Sequence, residues 1–193
     1  MSKAKKYYNL INVEPKGYIP QIGSHRFGLT FKTKNPHHGK SVAVIQMNCS
    51  TAGLLKDQKS WNCDPTIGKV LSWCYENSDN PFETVHCLNL FSIVDPNPVN
   101  LSGLGIKALN KKENDDWIQK VCKDVDCIII AYGDCKGIDF NIVKKRTNHV
   151  LKWLEKYDIH RVGNLNKSGN PKHGRAWNYK PLLTLHRNVM QKP

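Results

Sequence analysis

Short apolar runs alternate with helical segments along the middle of the chain, and this alternation constrains the fold more than any other feature. The apolar runs occupy residues 41–47, 84–91, 126–133 and 159–163. The helical segments begin near residues 64, 113 and 139. Because strands that alternate with helices form parallel sheets with helices on both faces, the sequence predicts an α/β protein. Its expected form is a three-layer α/β/α sandwich around a short, mainly parallel four-stranded sheet.

Residues that usually mark the ends of elements support these boundaries. Asp64 precedes Pro65, which places a capping carboxylate before a proline at the first position of a helix. Residues 26–33 alternate between apolar and polar, which predicts an edge strand of a hairpin. We therefore expect one domain over residues 26–193 that ends in a basic segment. A basic N-terminal extension, residues 1–25, would precede it.

The net charge of +13 is concentrated at the two ends of the chain. Residues 1–40 carry eight basic residues and one acidic residue, and residues 159–193 carry seven basic residues and no acidic one. Residues 41–158 are close to neutral, with 14 basic and 15 acidic residues. Two basic ends favour a polyanionic partner such as nucleic acid, although a highly soluble surface would have the same composition.

Several classes of protein are disfavoured by composition. No apolar run approaches the roughly 18 residues of a membrane span, and no long apolar stretch follows the lysines of M-S-K-A-K-K-Y-Y-N-L. We expect a soluble, cytoplasmic monomer that does not bind membranes. The seven cysteines are odd in number and include no C-x-x-C pair, which disfavours disulfide frameworks, zinc sites and iron–sulfur clusters. No metal and no cofactor are therefore predicted.

Polar residues stand where the predicted strands end. Asn48, Ser50 and Thr51 follow the first strand, Asn89 ends the second, and Gly133 closes the third. Because the carboxyl ends of parallel strands meet at one edge of a sheet, we expect these residues to lie close together. Open α/β sheets usually bind their ligands at this edge.

Five segments, in order, resemble the motifs of a known domain family. They are M-N-C-S-T-A, D-P-T-I, C-L-N-L-F, I-I-I-A-Y-G and G-N-P-K-H-G, within residues 26–185. They resemble a bacterial and phage family of unknown function with the pattern L-N-P-S-T-A, D-P-T, N-L-F, A-W-G and P-x-H-P. The motif order in turn resembles the uracil-DNA glycosylase superfamily. Cys49 and Gly174 depart from the pattern, because each stands where the family has proline.

The superfamily resemblance implies a catalytic role for three residues. Asn48 would position a water molecule through its amide oxygen, since an amide cannot take up a proton. Asp64, or more weakly Asp57, would supply a carboxylate. His173 would stabilise negative charge on the leaving base. Each also has a structural interpretation: a strand-end turn residue for Asn48, a helix cap for Asp64 and a surface side chain for His173.

The same resemblance implies substrate-binding residues. Asn89 would recognise the edge of a pyrimidine, although it could instead bridge backbone groups. Ser50 and Thr51 would bind sugar or phosphate, or would only form a local turn. Where the uracil-specific enzymes carry a tyrosine beside C5 of the base, this chain has Ser50. The pocket is therefore expected to admit a C5 substituent.

Basic and aromatic residues near the C-terminus are the candidates for contact with DNA. They are Lys172, Arg175, Trp177 and Lys180. Lysine and arginine would bind phosphates, and Trp177 would stack on a base or pack in the core. The expected partner is double-stranded DNA with a modified base flipped out of the helix.

These observations lead to one functional hypothesis and two alternatives. The resemblance implies a monofunctional DNA glycosylase that hydrolyses the N-glycosidic bond of a modified pyrimidine and leaves an abasic site. Glucosylated 5-hydroxymethylcytosine of phage DNA is a candidate substrate, which would imply antiviral defence. The alternatives are an N-glycosidase acting on nucleosides or nucleotides, and a non-catalytic module that binds nucleic acid.

Overall fold

A seven-stranded mixed sheet organises the chain. The computed structural model describes residues 3–19, 21–35, 39–54, 60–76, 81–177 and 182–186. The strands are β1 (Tyr8–Glu14), β2 (Gly28–Thr33), β3 (Ser41–Cys49), β4 (Gly53–Leu54), β5 (Trp61–Asn62), β6 (Thr84–Val94), β7 (Cys127–Ile130), β8 (Ile159–Val162) and β9 (Leu183–Leu185). The α-helices are α1 (Ala4–Tyr7), α2 (Pro65–Glu76), α3 (Ile106–Leu109), α4 (Lys112–Asp124) and α5 (Phe140–Leu154).

The centre of the sheet is parallel and its two margins are antiparallel. The strand order is β1-β2-β6-β3-β7-β8-β9, and the four strands from β6 to β8 run parallel to one another. The α/β class is thus confirmed, and the four predicted strands are the parallel ones. The predicted size of the sheet is wrong, because β1 and β2 extend one margin and β9 extends the other. Strands β4 and β5 form a separate two-stranded ribbon.

The first 25 residues contribute a strand to this sheet and so are not a mere extension. β1 pairs with β2, and the buried Tyr8 donates a hydrogen bond from its hydroxyl group to the backbone oxygen of Phe82 at 2.6 Å. The prediction that residues 26–33 form an edge strand is wrong, because β2 lies between β1 and β6. The domain therefore begins before the expected boundary at residue 26.

Helices cover both faces of the sheet because the strands are apolar on both sides. On one face, Val42 and Val44 of β3 belong to a cluster with Val70 and Leu71 of α2. On the other face, alternate residues of β3 belong to a cluster that includes α4 and α5; its members include Ala43, Ile45, Ile118, Val150 and Leu154. Burying each such large side chain contributes about 1.5–3 kcal/mol. Among the described residues, no helix has the length and apolar character needed to cross a membrane.

Capping carboxylates begin two helices, and the sequence predicted the first of them, Asp64. The Oδ1 atom of Asp64 accepts a hydrogen bond from the backbone N–H of Ile67 at 2.8 Å, and α2 starts at Pro65. Asp139 caps α5 in the same way, accepting from the N–H groups of Asn141 and Ile142 at 2.9 and 3.1 Å. Because α2 follows β3 in the chain, the capped end of α2 lies near the carboxyl end of the central parallel strand.

Candidate active site at the carboxyl ends of the parallel strands

A cleft lies at the carboxyl-terminal ends of the parallel strands, where the sequence predicts a site. It holds about 620 Å³ of empty space, including the part that opens to solvent. The structure brings six of the residues selected from sequence to its walls: Asn48, Ser50, Asp64, Asn89, His173 and Arg175. Residues that are up to 127 positions apart in the chain thus share one surface.

Asn48 is held so that its amide oxygen is available. Its Nδ2 group donates to the backbone oxygen of Cys49 at 3.0 Å and to that of Asp95 at 2.7 Å. Both partners can only accept, which fixes the amide orientation. No described residue donates a hydrogen bond to Oδ1. The side chain that lines the cleft therefore has an unused acceptor.

Asp64 is both a helix cap and a carboxylate of the cleft. Its Oδ1 accepts from Ile67, and its Oδ2 accepts from the hydroxyl group of Ser50. The interpretation of Asp64 as a helix cap and its interpretation as a carboxylate of the site are therefore compatible. Ser50 is hydrogen-bonded to this carboxylate. Thr51 is partly buried and is not among the residues that line the cleft.

Asn89 lies on the floor of the cleft and inside its strand. Strand β6 continues to Val94, so the prediction that Asn89 ends this strand is wrong. The residue is buried, and its Nδ2 group donates to the Sγ atom of Cys49 at 3.1 Å. Its own backbone oxygen accepts from Asn114 at 3.0 Å. The side chain is thus held by a thiol and does not bridge backbone groups.

His173 is arranged as a neutral hydrogen-bond donor. Its Nδ1 atom accepts from the backbone N–H of Arg175 at 3.2 Å, so the proton of the neutral ring is on Nε2. Burial lowers the pKa of His173; Asp64 opposes this effect and Arg175 adds to it. Gly133 has φ +66° and a Cβ there would lie 2.8 Å from the Cβ of His173, so only glycine permits this approach.

The predicted DNA-contacting residues fall in different places. Arg175 is exposed and lines the cleft, whereas Lys172 is partly buried and lies outside its lining. Trp177 is 3% exposed and packs edge-on against Trp73 with ring centroids 5.1 Å apart. Of its two interpretations, core packing is therefore correct, because the ring has no free face for a base. Lys180 and Asp57 lie outside the described residues.

Four further polar residues line the cleft and were not selected from the sequence: Arg26, Gln46, Thr66 and Asp95. Arg26 is 2% exposed, and its Nη1 group donates to the backbone oxygens of Ser50, at 3.0 Å, and Ala52. Asp95 accepts from the backbone N–H of Asn97 at 2.7 Å. Gln46 lies within the apolar run of β3. A lone polar residue inside an apolar run was the available signal for Gln46; Arg26 gave none.

Among the described residues, no three His, Cys, Asp or Glu side chains are placed to hold a metal ion.

The family profile that matches the chain is DUF1643, described as a protein of unknown function, over residues 26–174. The chain belongs to the DUF1643 family. No curated protein and no solved structure matches it.

The DUF1643 match includes most of the cleft. Asn48, Ser50, Asp64, Asn89 and His173 all lie within it, whereas β1 and β9 lie outside. The matched segment therefore contains the parallel strands and the polar groups at their carboxyl ends. Of the strands of the seven-stranded sheet, the outermost two, β1 and β9, are the ones of this DUF1643 protein that the match does not reach.

Proposed function

We propose that this protein is a DNA N-glycosylase with a uracil-DNA glycosylase-like site, acting on a modified pyrimidine. One observation carries the proposal. An unused amide oxygen on Asn48, a buried carboxamide on Asn89 and a neutral N–H donor on His173 line the same cleft. Hydrolysis of a glycosidic bond needs a group for each of three tasks: water placement, base recognition and leaving-group stabilisation.

Departure of the base would depend on His173. When the bond between C1′ and N1 breaks, its electron pair stays with the base, and negative charge grows on the ring and its oxygens. The Nε2–H group would donate a hydrogen bond to such an oxygen. A preorganised donor of this kind typically contributes a factor of about 10²–10³ in rate. A neutral imidazole suits the role, because it does not require a prior protonation step.

Attack of water would depend on Asn48. Its Oδ1 atom would accept a hydrogen bond from a water molecule whose oxygen forms the new bond to C1′. The amide cannot take the proton, so the proton passes to solvent as the sugar hydroxyl forms. Asp64 would stabilise the cationic sugar through its charge. Its two oxygens already accept hydrogen bonds, which argues against a role as the general base.

The shape of the cleft favours a substituted base. Ser50 contributes a short side chain that is turned to Asp64, so no bulky side chain from this position closes the cleft beside the base. A C5 substituent with hydroxyl groups, such as the sugar of glucosylated 5-hydroxymethylcytosine, would find polar partners there. Arg175 at the cleft, Lys172 and the net charge of +13 favour a polynucleotide over a free nucleoside.

The decisive experiment is an assay for abasic sites. Duplexes that each carry one modified pyrimidine are incubated with the protein, heated in alkali and examined for strand breaks. Asn48→Ala should lower the rate of base release by about 10²-fold or more, with DNA affinity nearly unchanged. Asn141→Ala, on the exposed start of α5, makes the same chemical change outside the cleft and should keep the wild-type rate.

The alternatives give different results in the same assay. Release of base from free nucleosides but not from duplexes would identify a small-molecule N-glycosidase. Binding of duplexes without any release would identify a non-catalytic module. For the DNA contacts, alanine at Lys172, Arg175 and Lys180 together should reduce the slope of log affinity against log salt by about three. An unchanged slope would remove these three residues from the interface.

A further inference from the structure

Gln46 lies on the cleft floor beside the proposed base-reading residue. It precedes Asn48 by two positions on β3, so both side chains project from the same face of the strand. In the parallel pairing of β3 with β6, Gln46 is the register partner of Asn89. Two carboxamides on neighbouring strands therefore stand side by side, and both line the cleft.

The side-chain amide of Gln46 has no hydrogen-bond partner among the described residues. The residue is only 3% exposed, and no described residue donates to it or accepts from it. Its amide atoms are not among those completely buried without a partner, so they keep contact with the cleft and are open to a ligand. The Nδ2 group of Asn114, another buried carboxamide, donates to the backbone oxygen of Asn89 at 3.0 Å and to Oδ1 of Asn110 at 2.8 Å, while its own Oδ1 atom is buried without a partner among the described residues. Gln46 instead directs its polar atoms at the space of the cleft.

The neighbours of Gln46 leave its end uncovered. A Cβ at Gly174 would lie 3.5 Å from the Oε1 atom of Gln46, so this side chain reaches the loop that carries His173. With glycine at this position, no side chain lies over Oε1 from that side. The end of Gln46 thus lies next to the loop that carries His173, on the strand beside Asn89.

Cys49 determines which side-chain atom of Asn89 faces the cleft. The thiol donates its one hydrogen to a backbone oxygen, that of Arg26 at 3.0 Å, so it can only accept from Asn89. The Nδ2 group of Asn89 must therefore face the sulfur. Burial raises the pKa of Cys49, which keeps the thiol protonated in this role. The Oδ1 atom of Asn89, which accepts from no described residue, remains for a ligand.

We propose that Gln46 is a specificity-determining residue that reads the flipped base together with Asn89. This inference rests on the proposed glycosylase function. Asn89 Oδ1 accepts from an N–H or amino donor of the base, and the Gln46 amide pairs with the adjacent atom of the same edge. The edge that satisfies both is the N3–C4 side of a pyrimidine, where a donor and an acceptor are neighbours.

The test is a ratio of rates on two bases. Duplexes carry either the base that the wild type releases fastest or the same base with its C4 amino and keto groups exchanged, and single-turnover rates are measured on each. Gln46→Met keeps the length of the side chain but removes its donor and acceptor. It should lower the ratio at least about tenfold, because a site built for hydrogen bonds loses its discrimination without them.

Two controls separate this role from a structural one. Gln119→Met makes the same change on the exposed face of α4 and should leave the ratio unchanged. The melting temperature of Gln46→Met should equal or exceed that of the wild type, because no hydrogen bond between described residues is lost. Gln46→Glu keeps the size and polarity but lacks the donor, and it should lower the ratio as well.

Each outcome bears on a different claim. If the wild type releases a base and both Gln46 variants keep the wild-type ratio, the inference about Gln46 is wrong and the glycosylase function stands. If the ratio is kept and the melting temperature falls, Gln46 is structural and the inference is equally wrong. If the wild type releases no base from any duplex, the glycosylase proposal fails, and the inference fails with it.

Discussion

The molecule contains two buried groups of polar side chains, one on each side of the sheet, and they use their atoms differently. The first is the cleft. The second, which we call the α4–α5 polar cluster, consists of Asn110, Asn114, Asp115 and Arg146. In that cluster Asn110 donates to Asp115 at 2.9 Å, and Arg146 forms an ion pair with the same carboxylate at 2.6 Å. Its members bond mainly to one another and to β6.

The two buried arginines show the same difference. Arg146 donates to the backbone oxygen of Leu90 at 2.6 Å and is neutralised by Asp115. Arg26 donates only to backbone oxygens, and no carboxylate among the described residues forms an ion pair with it. Similar residue types therefore serve two purposes. What separates the two groups is the balance of charge: Arg146 is paired with the carboxylate of Asp115, whereas Arg26 has no such counter-charge among the described residues.

Breaking the α4–α5 polar cluster should give the largest effect on stability. Asp115→Ala leaves Arg146, whose side chain is only 4% exposed, without its counter-charge. Loss of one partner of a buried pair costs about 3–5 kcal/mol, and we expect about 3 kcal/mol because the Asp115 side chain is 21% exposed. Chemical denaturation measures the change, and base release by the remaining folded protein should stay close to the wild-type rate.

The adjacent residue provides the control. Asp116 forms an exposed ion pair with Lys112 at 2.7 Å, and such pairs contribute about 0–1 kcal/mol. Asp116→Ala should therefore change the free energy of unfolding much less than Asp115→Ala. Equal effects of the two substitutions, or a large loss of base release in Asp115→Ala, would contradict the division between a structural cluster and a functional cleft.

The pattern of apolar runs in the sequence predicted the parallel strands. It did not predict the elements whose formation depends on pairing with distant strands. The apolar runs that form β3, β6, β7 and β8 and the cap at Asp64 are visible in the sequence. β1 is not, because its register shifts between Leu10 and Asn12 and its burial does not alternate regularly. Such a strand can be identified from its pairing with another strand, but not from a regular alternation of apolar and polar residues in its own sequence.

The candidate site shows the same limit. Asn48 and His173 could be selected because motifs surround them. Gln46 was not selected, because its one signal, a polar residue in an apolar run, does not show which residues it faces. Its importance depends on the register of β3 against β6, which pairs it with Asn89. Register between distant strands is not encoded in any local window.

A smaller effect is expected where the loop of His173 packs on α2. A Cβ at Gly174 would lie 2.7 Å from Cγ2 of Val70, which is fully buried in the apolar core, so the loop or the helix must shift. Overpacking of this kind costs about 1–3 kcal/mol, so Gly174→Ala should lower the free energy of unfolding by that amount. It should also slow base release, because His173 must shift with the loop.

A control substitution at Gly105 tests whether lack of space causes the expected loss of stability in Gly174→Ala. A Cβ at Gly105, where φ is −74°, would meet no atom within 4 Å. Gly105→Ala should change the free energy of unfolding by less than about 0.5 kcal/mol. A similar loss in both variants would mean that backbone freedom, rather than the contact with Val70, explains the glycine at position 174. The measurement for both is denaturant-induced unfolding under identical conditions.

The smallest effect concerns pH, and it compares a histidine of the cleft with one outside it. Burial lowers the pKa of both His173 and His86. The unfolded chain, with an ordinary histidine pKa near 6.5, then binds more protons than the folded chain below that pH. Stability should therefore be constant above pH 6.5 and fall below it, by at most about 1.4 kcal/mol per pH unit for each histidine.

Replacing each histidine separates titration from function. His86, on β6, shares a hydrogen bond of 3.0 Å with the hydroxyl group of Thr30 and does not line the cleft. Both His86→Gln and His173→Gln should flatten the fall in stability between pH 6.5 and 5.5, because each removes one group that protonates on unfolding. Only His173→Gln should slow base release at pH 7.5, where the imidazole would donate from Nε2. Equal rates in the two variants would show that the cleft histidine differs from His86 in position alone, and the assignment of His173 as the donor to the leaving base would be wrong.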